Sequence, residues 1–360
     1  MASNAPSLLN RIGQSLWLDN ITRDLLDSGT LRRYIDDLSV TGLTSNPTIF
    51  DNAISRHSWY DSEIGNQVRA GISGEALLFN LAIQDLSRAA DLFLPVYERT
   101  CSVDGFVSLE VSPLLAYDTK ATVAQAKALH AKANKPNLFI KIPGTTEGLP
   151  AIEEAIFAGV PVNVTLLFST AQYEAAADAY LKGLERRVEA GLPADVRSVA
   201  SLFVSRWDVA VTGKVPAALR NTLGMAVSRQ AYKAYRDSLE SDRFQRLANV
   251  GARAQRFLFA STGTKDKAAS DTLYIAGLAA PNTVNTMPED TLLAFADHGD
   301  TPLALPRDGG DAEAVLAAHT AAGIDLTALA AQLQADGAKG FVKSWNELLG
   351  AIEAKSKSLV

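Results

Sequence analysis

Short apolar runs recur along this chain, each bounded by Gly, Pro or polar residues and separated by stretches with helical spacing. The runs fall at residues 16–18, 40–43, 105–111, 138–142, 160–167, 197–204, 257–260 and 283–286. They lack strict apolar–polar alternation, which is the pattern of strands buried on both faces. Strands alternating with helices predict βα units and a parallel sheet. Eight such strands is the number that closes a small barrel. The alternative is an open doubly wound sheet, which usually carries a Gly-rich phosphate loop after its first strand; none follows residue 18. The expected fold class is therefore α/β, a (β/α)8 TIM barrel with additional helices.

The connections are uneven. A helical insertion is expected over about residues 50–104. Within it Leu77, Leu78, Leu81, Leu86, Ala89 and Leu92 recur near helical spacing and predict an amphipathic helix over 74–98. A second long helical connection, rich in Arg and Lys, is expected over 206–256. From about residue 311 to 360, Ala-rich helical patterns predict a C-terminal extension that packs across the barrel. The segment TPLALPRDGG at 301–310 is the one candidate internal linker. The expected organisation is a single barrel domain over residues 1–360.

Composition narrows the class. The chain has 360 residues, longer than most domains but ordinary for a barrel with insertions. A formal net charge of −6 argues against a nucleic-acid partner, whose footprint is basic, yet leaves anionic small molecules open, since a site is a local arrangement of charges. The lone Cys101 allows no intramolecular disulfide, fits a reducing compartment and, lacking a motif, reads as structural. The N-terminal segment has neither the basic region nor the apolar core of a signal peptide. No run approaches the roughly 18 apolar residues of a membrane span. A cytoplasmic protein with no membrane partner is expected. His57, His130, His298 and His319 are scattered without metal-ligand spacing, so no metal is expected. No phosphate-loop, nucleophile-elbow or dinucleotide motif points to a cofactor.

In a barrel of this kind the catalytic groups sit at the C-terminal ends of the strands. Lys141, between Ile140 and Ile142, is the most informative residue there. A desolvated lysine is a neutral amine able to attack a carbonyl; the other reading is a strand-end lysine that snorkels to solvent. Asp19 and Glu110 are acids in apolar strands, able to move protons. Read alone, Asp19 is better explained as a helix N-cap, with Thr22 close behind it. Glu110 has no helix start to cap. Arg206, Lys265, Ser201 and Ser261 form a candidate anion cradle, since guanidinium groups grip phosphates bidentately; for Lys265, beside Asp266 and Lys267, an ordinary surface charge explains the residue well. Asn46, forced toward extended backbone by Pro47, either holds a turn or bonds a substrate hydroxyl. Asn163 and Thr165 lie on the fifth strand.

The segments LWLDNITRDLL, TGLTSNPTIF, SLEVSP, KIPGTTEGLPAI, NVTLLFS, SLFVSR, FASTGTKD and DTLYIAGLAAPNTVNTMP, in this order between about residues 15 and 290, closely resemble the transaldolase family. The long forms of the second and seventh, with the extended C-terminus, resemble its longer bacterial subgroup. The resemblance implies that Lys141 is a Schiff-base nucleophile and Asp19 the general acid/base at the carbon–carbon bond. It implies that Glu110 and Thr165 hold a catalytic water. Asn46 and Ser201 would contact the dihydroxyacetone portion and Arg206 the phosphate. The lysine in ASTGTKD departs from other branches of the family and leaves the roles of Ser261 and Lys265 open. The implied partners are sugar phosphates, the implied assembly a monomer or homodimer, and no cofactor is needed. Two other functions stand beside this one: a plain class I aldolase that releases free dihydroxyacetone, and a non-enzymatic binding protein on a barrel scaffold.

Overall fold

The computed structural model of the protein describes residues 5–300 and 303–359. Among them eight parallel strands close into a barrel in chain order. They are β1 (Gln14–Leu18), β2 (Val40–Leu43), β3 (Val107–Glu110), β4 (Leu138–Pro143), β5 (Val162–Leu167), β6 (Ser198–Phe203), β7 (Gln255–Ala260) and β8 (Thr283–Met287). Each apolar run read from the sequence is one of these strands, and β1 pairs with β8 along its whole length to complete the closure.

Two strands begin earlier than their apolar runs because polar residues open them. Gln14 is buried, and its amide donates to the Leu278 carbonyl at 2.7 Å and to the Thr283 hydroxyl at 3.0 Å, fastening the β1–β8 seam from inside. Gln255 opens β7 in the same way, its amide donating to Ser198 at 2.9 Å. The third strand is shorter than its run. Gly105 has a φ of 87°, and a Cβ there would lie 2.4 Å from the Tyr97 nitrogen, so the chain turns before it enters β3.

Outside the barrel, the insertion contains the expected helix, Gly74–Arg99, whose apolar stripe is buried. Asp85 on it accepts from Arg23 at 3.0 Å and from the Tyr60 hydroxyl at 2.8 Å, tying the insertion to the connection after β1. Cys101 lies in an exposed turn just beyond, so it is not a core residue. The connection over 206–256 is helical and made of several pieces. Gly213 and Pro216 break it into Ser205–Val211, a short turn, Leu223–Glu240 and Asp242–Ala248. Of the candidate linker, Thr301 and Pro302 lie outside the described residues. The remainder is pinned to the barrel: the buried Leu305 donates its N–H to the Ala279 carbonyl at 2.7 Å, and Arg307 pairs with Glu240. Among the described residues no single helix is long and apolar enough to cross a membrane.

The C-terminal helix Leu326–Ser358 runs for 33 residues, which at 1.5 Å per residue is about 50 Å. Asp325 caps its start by accepting from the Ala328 N–H at 3.0 Å. It crosses the C-terminal mouth of the barrel, as the Ala-rich pattern predicts. The Gln334 amide donates to the carbonyls of Gly144 and Leu166, both at 2.9 Å, just beyond β4 and near the end of β5. Further along, Trp345 packs on Phe79 with ring centroids 5.5 Å apart, and Lys355 reaches the His57 carbonyl and Asp61.

Candidate active site

The barrel sets Glu110, Lys141 and Asn163 side by side, since Glu110 on β3 is in register with Lys141 on β4, and Lys141 with Asn163 on β5. Only 6% of the Lys141 side chain is exposed, so it does not snorkel to solvent. Its Nζ lies 3.3 Å from Glu110 Oε2, donates to the Ser45 carbonyl at 3.3 Å, and sits 5.7 Å from the centre of the Phe341 ring. Burial pushes the Glu110 carboxyl above the usual carboxylate range, with the Lys141 ammonium opposing and Asp19 adding to the rise. Among the described residues, apart from that ion pair, neither carboxylate oxygen is hydrogen-bonded, and the buried Thr165 hydroxyl likewise has no partner. Buried polar atoms left open in this way mark places where water or a ligand is held.

Asp19 follows β1 directly. Its N–H donates to the Met287 carbonyl at 2.8 Å, carrying the β1–β8 ladder one step beyond the strand. The next helix is capped by Thr22, whose side chain accepts from the Leu25 N–H, so Asp19 is not the cap. Its carboxylate accepts from the Thr44 hydroxyl at 2.7 Å, and Thr44 is 2.8 Å from the Thr286 hydroxyl. Three strand ends, β1, β2 and β8, thus converge on one carboxylate.

Asn46 holds the turn into the next helix and faces the barrel mouth. It caps the helix Pro47–Arg56 by accepting from the Ile49 N–H at 3.1 Å, and it also lines the cavity at the barrel mouth. Ser201 is buried on β6 and donates to the Asn163 amide oxygen at 2.7 Å. Arg206 is the second residue of the helix Ser205–Val211, half-buried, with its guanidinium 5.4 Å from the Phe203 ring centre. Burial pulls its pKa down, and Asp19 acts the other way. Among the described residues no carboxylate pairs with Arg206. A desolvated guanidinium without a counter-ion is suited to an incoming anion. Ser261, at a φ of 57°, sits 3.0 Å from the Ser205 hydroxyl. Lys265 is exposed and faces two ways, into the mouth cavity and into an outer groove beside Asp266.

The mouth cavity, of about 110 Å³, is lined by Asp19, Asn46, Lys141, Thr165, Ser201, Arg206, Ser261 and Lys265. The candidate site residues read from the sequence meet there except Glu110, which joins through Lys141, and Asn163, which joins through Ser201. Thr44 and Thr286, strand-end residues to which the sequence reading gives no role, line the same space, as do Phe203, Gly263, Pro288 and Phe341, which it does not reach. Phe341 carries no signal that could have found it.

Two glycines follow the lysine strand closely, and at Gly148 the backbone leaves no room for a side chain. A Cβ at Gly148 would lie 1.9 Å from the Pro143 carbonyl, and one at Gly144 2.4 Å from Leu167. The Thr145 hydroxyl accepts from the Gly148 N–H at 3.0 Å, which locks the turn after β4.

A profile of the Transaldolase/Fructose-6-phosphate aldolase family matches residues 16–352. The chain belongs to this family. It is 43% identical over 366 residues to "Transaldolase 2" of Streptomyces coelicolor, covering 99% of this chain and 98% of that protein. It is 44% identical over 364 residues to the "Transaldolase" of Mycobacterium tuberculosis, covering 97% of each. The "Transaldolase" of an Arthrobacter species is 44% identical over 354 residues, covering 96% of this chain and 95% of its own. The family match ends within the C-terminal helix, so that helix belongs to the region the family shares.

Proposed function

We propose that the protein is a transaldolase that carries a dihydroxyacetone unit on Lys141 from a ketose phosphate, sedoheptulose 7-phosphate or fructose 6-phosphate, to an aldose phosphate, glyceraldehyde 3-phosphate or erythrose 4-phosphate. The observation that carries this reading is the Lys141 amine, buried in a strand and paired with a carboxylate that itself lacks hydrogen bonds. The family match gives it its direction.

Lys141 Nζ adds to the C2 ketone of the donor, and loss of water leaves an iminium ion. Asp19 takes the C4 hydroxyl proton as the C3–C4 bond breaks. The bonding electrons enter the iminium and give an enamine, while the aldose phosphate departs. The enamine then attacks the aldehyde of a second aldose phosphate, Asp19 returns the proton, and water frees the product. Glu110 and Thr165, with open oxygen atoms, orient the water that is lost and regained. Arg206 receives the phosphate, with Ser261 and Lys265 at the rim, and Asn46 and Ser201 bind the three-carbon end. The lysine supplies the electron sink, so the reading needs no metal or organic cofactor. We place this chemistry in the cytoplasm, on a single barrel unit whose C-terminal helix is part of it.

The test is borohydride trapping with fructose 6-phosphate, followed by mass mapping. A reduced adduct on Lys141, and loss of transfer in folded Lys141→Ala, are expected. Transfer retained by that variant overturns the Schiff-base reading.

A further inference from the structure

We propose that Phe341, on the C-terminal helix, roofs the reacting lysine and decides whether the three-carbon intermediate is transferred or released to water. The inference rests on the Schiff-base reading of Lys141.

Phe341 belongs to none of the eight βα units, yet its ring lies 5.7 Å from the Lys141 ammonium and lines the mouth cavity. Only 6% of the residue is exposed. The helix that carries it is fixed at this spot and not merely laid across it. Gln334, seven residues and so about two turns earlier on the same face, bonds the carbonyls of Gly144 and Leu166, beside the strands that bear Lys141 and Thr165. Between them Gly337 lets the helix sit down: a Cβ there would lie 2.9 Å from the Leu166 side chain. On the far side of Phe341, Ser344 and Thr48 hydroxyls meet at 2.8 Å.

The chemistry gives such a roof a task. After cleavage the enamine has two fates. It forms a bond to an acceptor aldehyde, or its carbon takes a proton and becomes an iminium again. In the second case water adds to the C=N carbon, the carbinolamine transfers its hydroxyl proton to the nitrogen, and the C–N bond breaks. The products are free dihydroxyacetone and the Lys141 amine. The second fate needs a proton at the carbon next to Lys141, since the water that then splits the iminium is the one Glu110 and Thr165 already orient. An apolar ring at that place keeps bulk water from delivering that proton while an acceptor is awaited.

The experiment compares wild type, Phe341→Ala, Phe341→Leu and Gln334→Ala with fructose 6-phosphate, measuring free dihydroxyacetone and transfer to glyceraldehyde 3-phosphate in one reaction. Phe341→Ala is expected to raise the ratio of release to transfer roughly tenfold. Phe341→Leu, which keeps an apolar roof, is expected to stay near wild type. Gln334→Ala, which loosens the helix without opening the cavity, is expected to shift the ratio the same way by less. An unchanged ratio in folded Phe341→Ala overturns the inference; where that variant does not fold, an unchanged ratio in Gln334→Ala does so. A wild-type enzyme that yields no borohydride-trapped Lys141 adduct overturns the Schiff-base reading instead, which keeps the two failures apart.

Discussion

The Thr44 hydroxyl donates to the Asp19 carboxylate at 2.7 Å, joining the ends of two neighbouring strands through a single hydrogen bond. That bond uses one carboxylate oxygen as an acceptor, a job the amide oxygen of asparagine does equally well. Asp19→Asn therefore separates shape from basicity. The variant is expected to fold with little change in stability and still form a borohydride-trapped adduct on Lys141. Its turnover is expected to fall roughly 100- to 10,000-fold, the usual contribution of general acid–base catalysis. Near-wild-type turnover, measured by coupled assay beside a thermal melt, would show that another group moves the proton.

Glu110 yields a prediction in pH. Burial raises its carboxyl above the ordinary range, so the folded protein keeps it protonated to a higher pH than an exposed glutamate, at about 4.3. A step that uses the ionised carboxylate therefore weakens as pH falls through that raised value. The acid limb of the pH–kcat profile is expected above the ordinary glutamate range. Glu110→Gln, which preserves size and removes the titration, is expected to lower kcat and abolish that limb. A limb that stays in place in the variant assigns it to a different group.

Among the described residues Arg206 has no carboxylate partner, so its contribution is expected to appear only with an anion bound. Removing a charge-assisted hydrogen bond costs roughly 1.5–3 kcal/mol. Arg206→Ala is accordingly expected to raise KM for phosphorylated substrates about 10- to 150-fold, with a much smaller effect on unphosphorylated donors. An equal loss on both kinds of donor, in side-by-side kinetics, would remove the phosphate from its role.

Most of the barrel was legible because strands buried on both faces must be apolar, and a charged or amide residue inside such a run has to be accounted for. Lys141, Glu110 and Asn163 stood out for that reason. Gln14 did not, because a polar residue at the start of a strand looks like the loop before it. Read alone, Asp19 looked like a helix cap, and the reason it is not one is geometric. The ladder to Met287 continues one residue past the strand, which moves the helix start to Thr22, and composition does not encode that extra step. The connection over 206–256 was legible as helical from its polar and apolar spacing, while the bounds of its separate helices, with a break at Gly213 and Pro216, were not. Phe341 was out of reach altogether. In sequence it is one more apolar residue of an amphipathic helix, and only the long-range placement of that helix, through Gln334 on two distant carbonyls, turns it toward Lys141.

The position of that phenylalanine in the chain has a bearing on biosynthesis. A growing polypeptide reaches the end of β8 at Met287, the last strand needed to close the barrel, while Phe341 is still about fifty residues away. At ribosomal speeds of roughly 5–20 residues per second that gap lasts on the order of several seconds. A barrel that closed in that interval would hold the Lys141 amine without the ring of Phe341 beside it. The helix that lies over the barrel mouth follows all eight strands in the chain, so its packing there comes after the strands it rests on have been made.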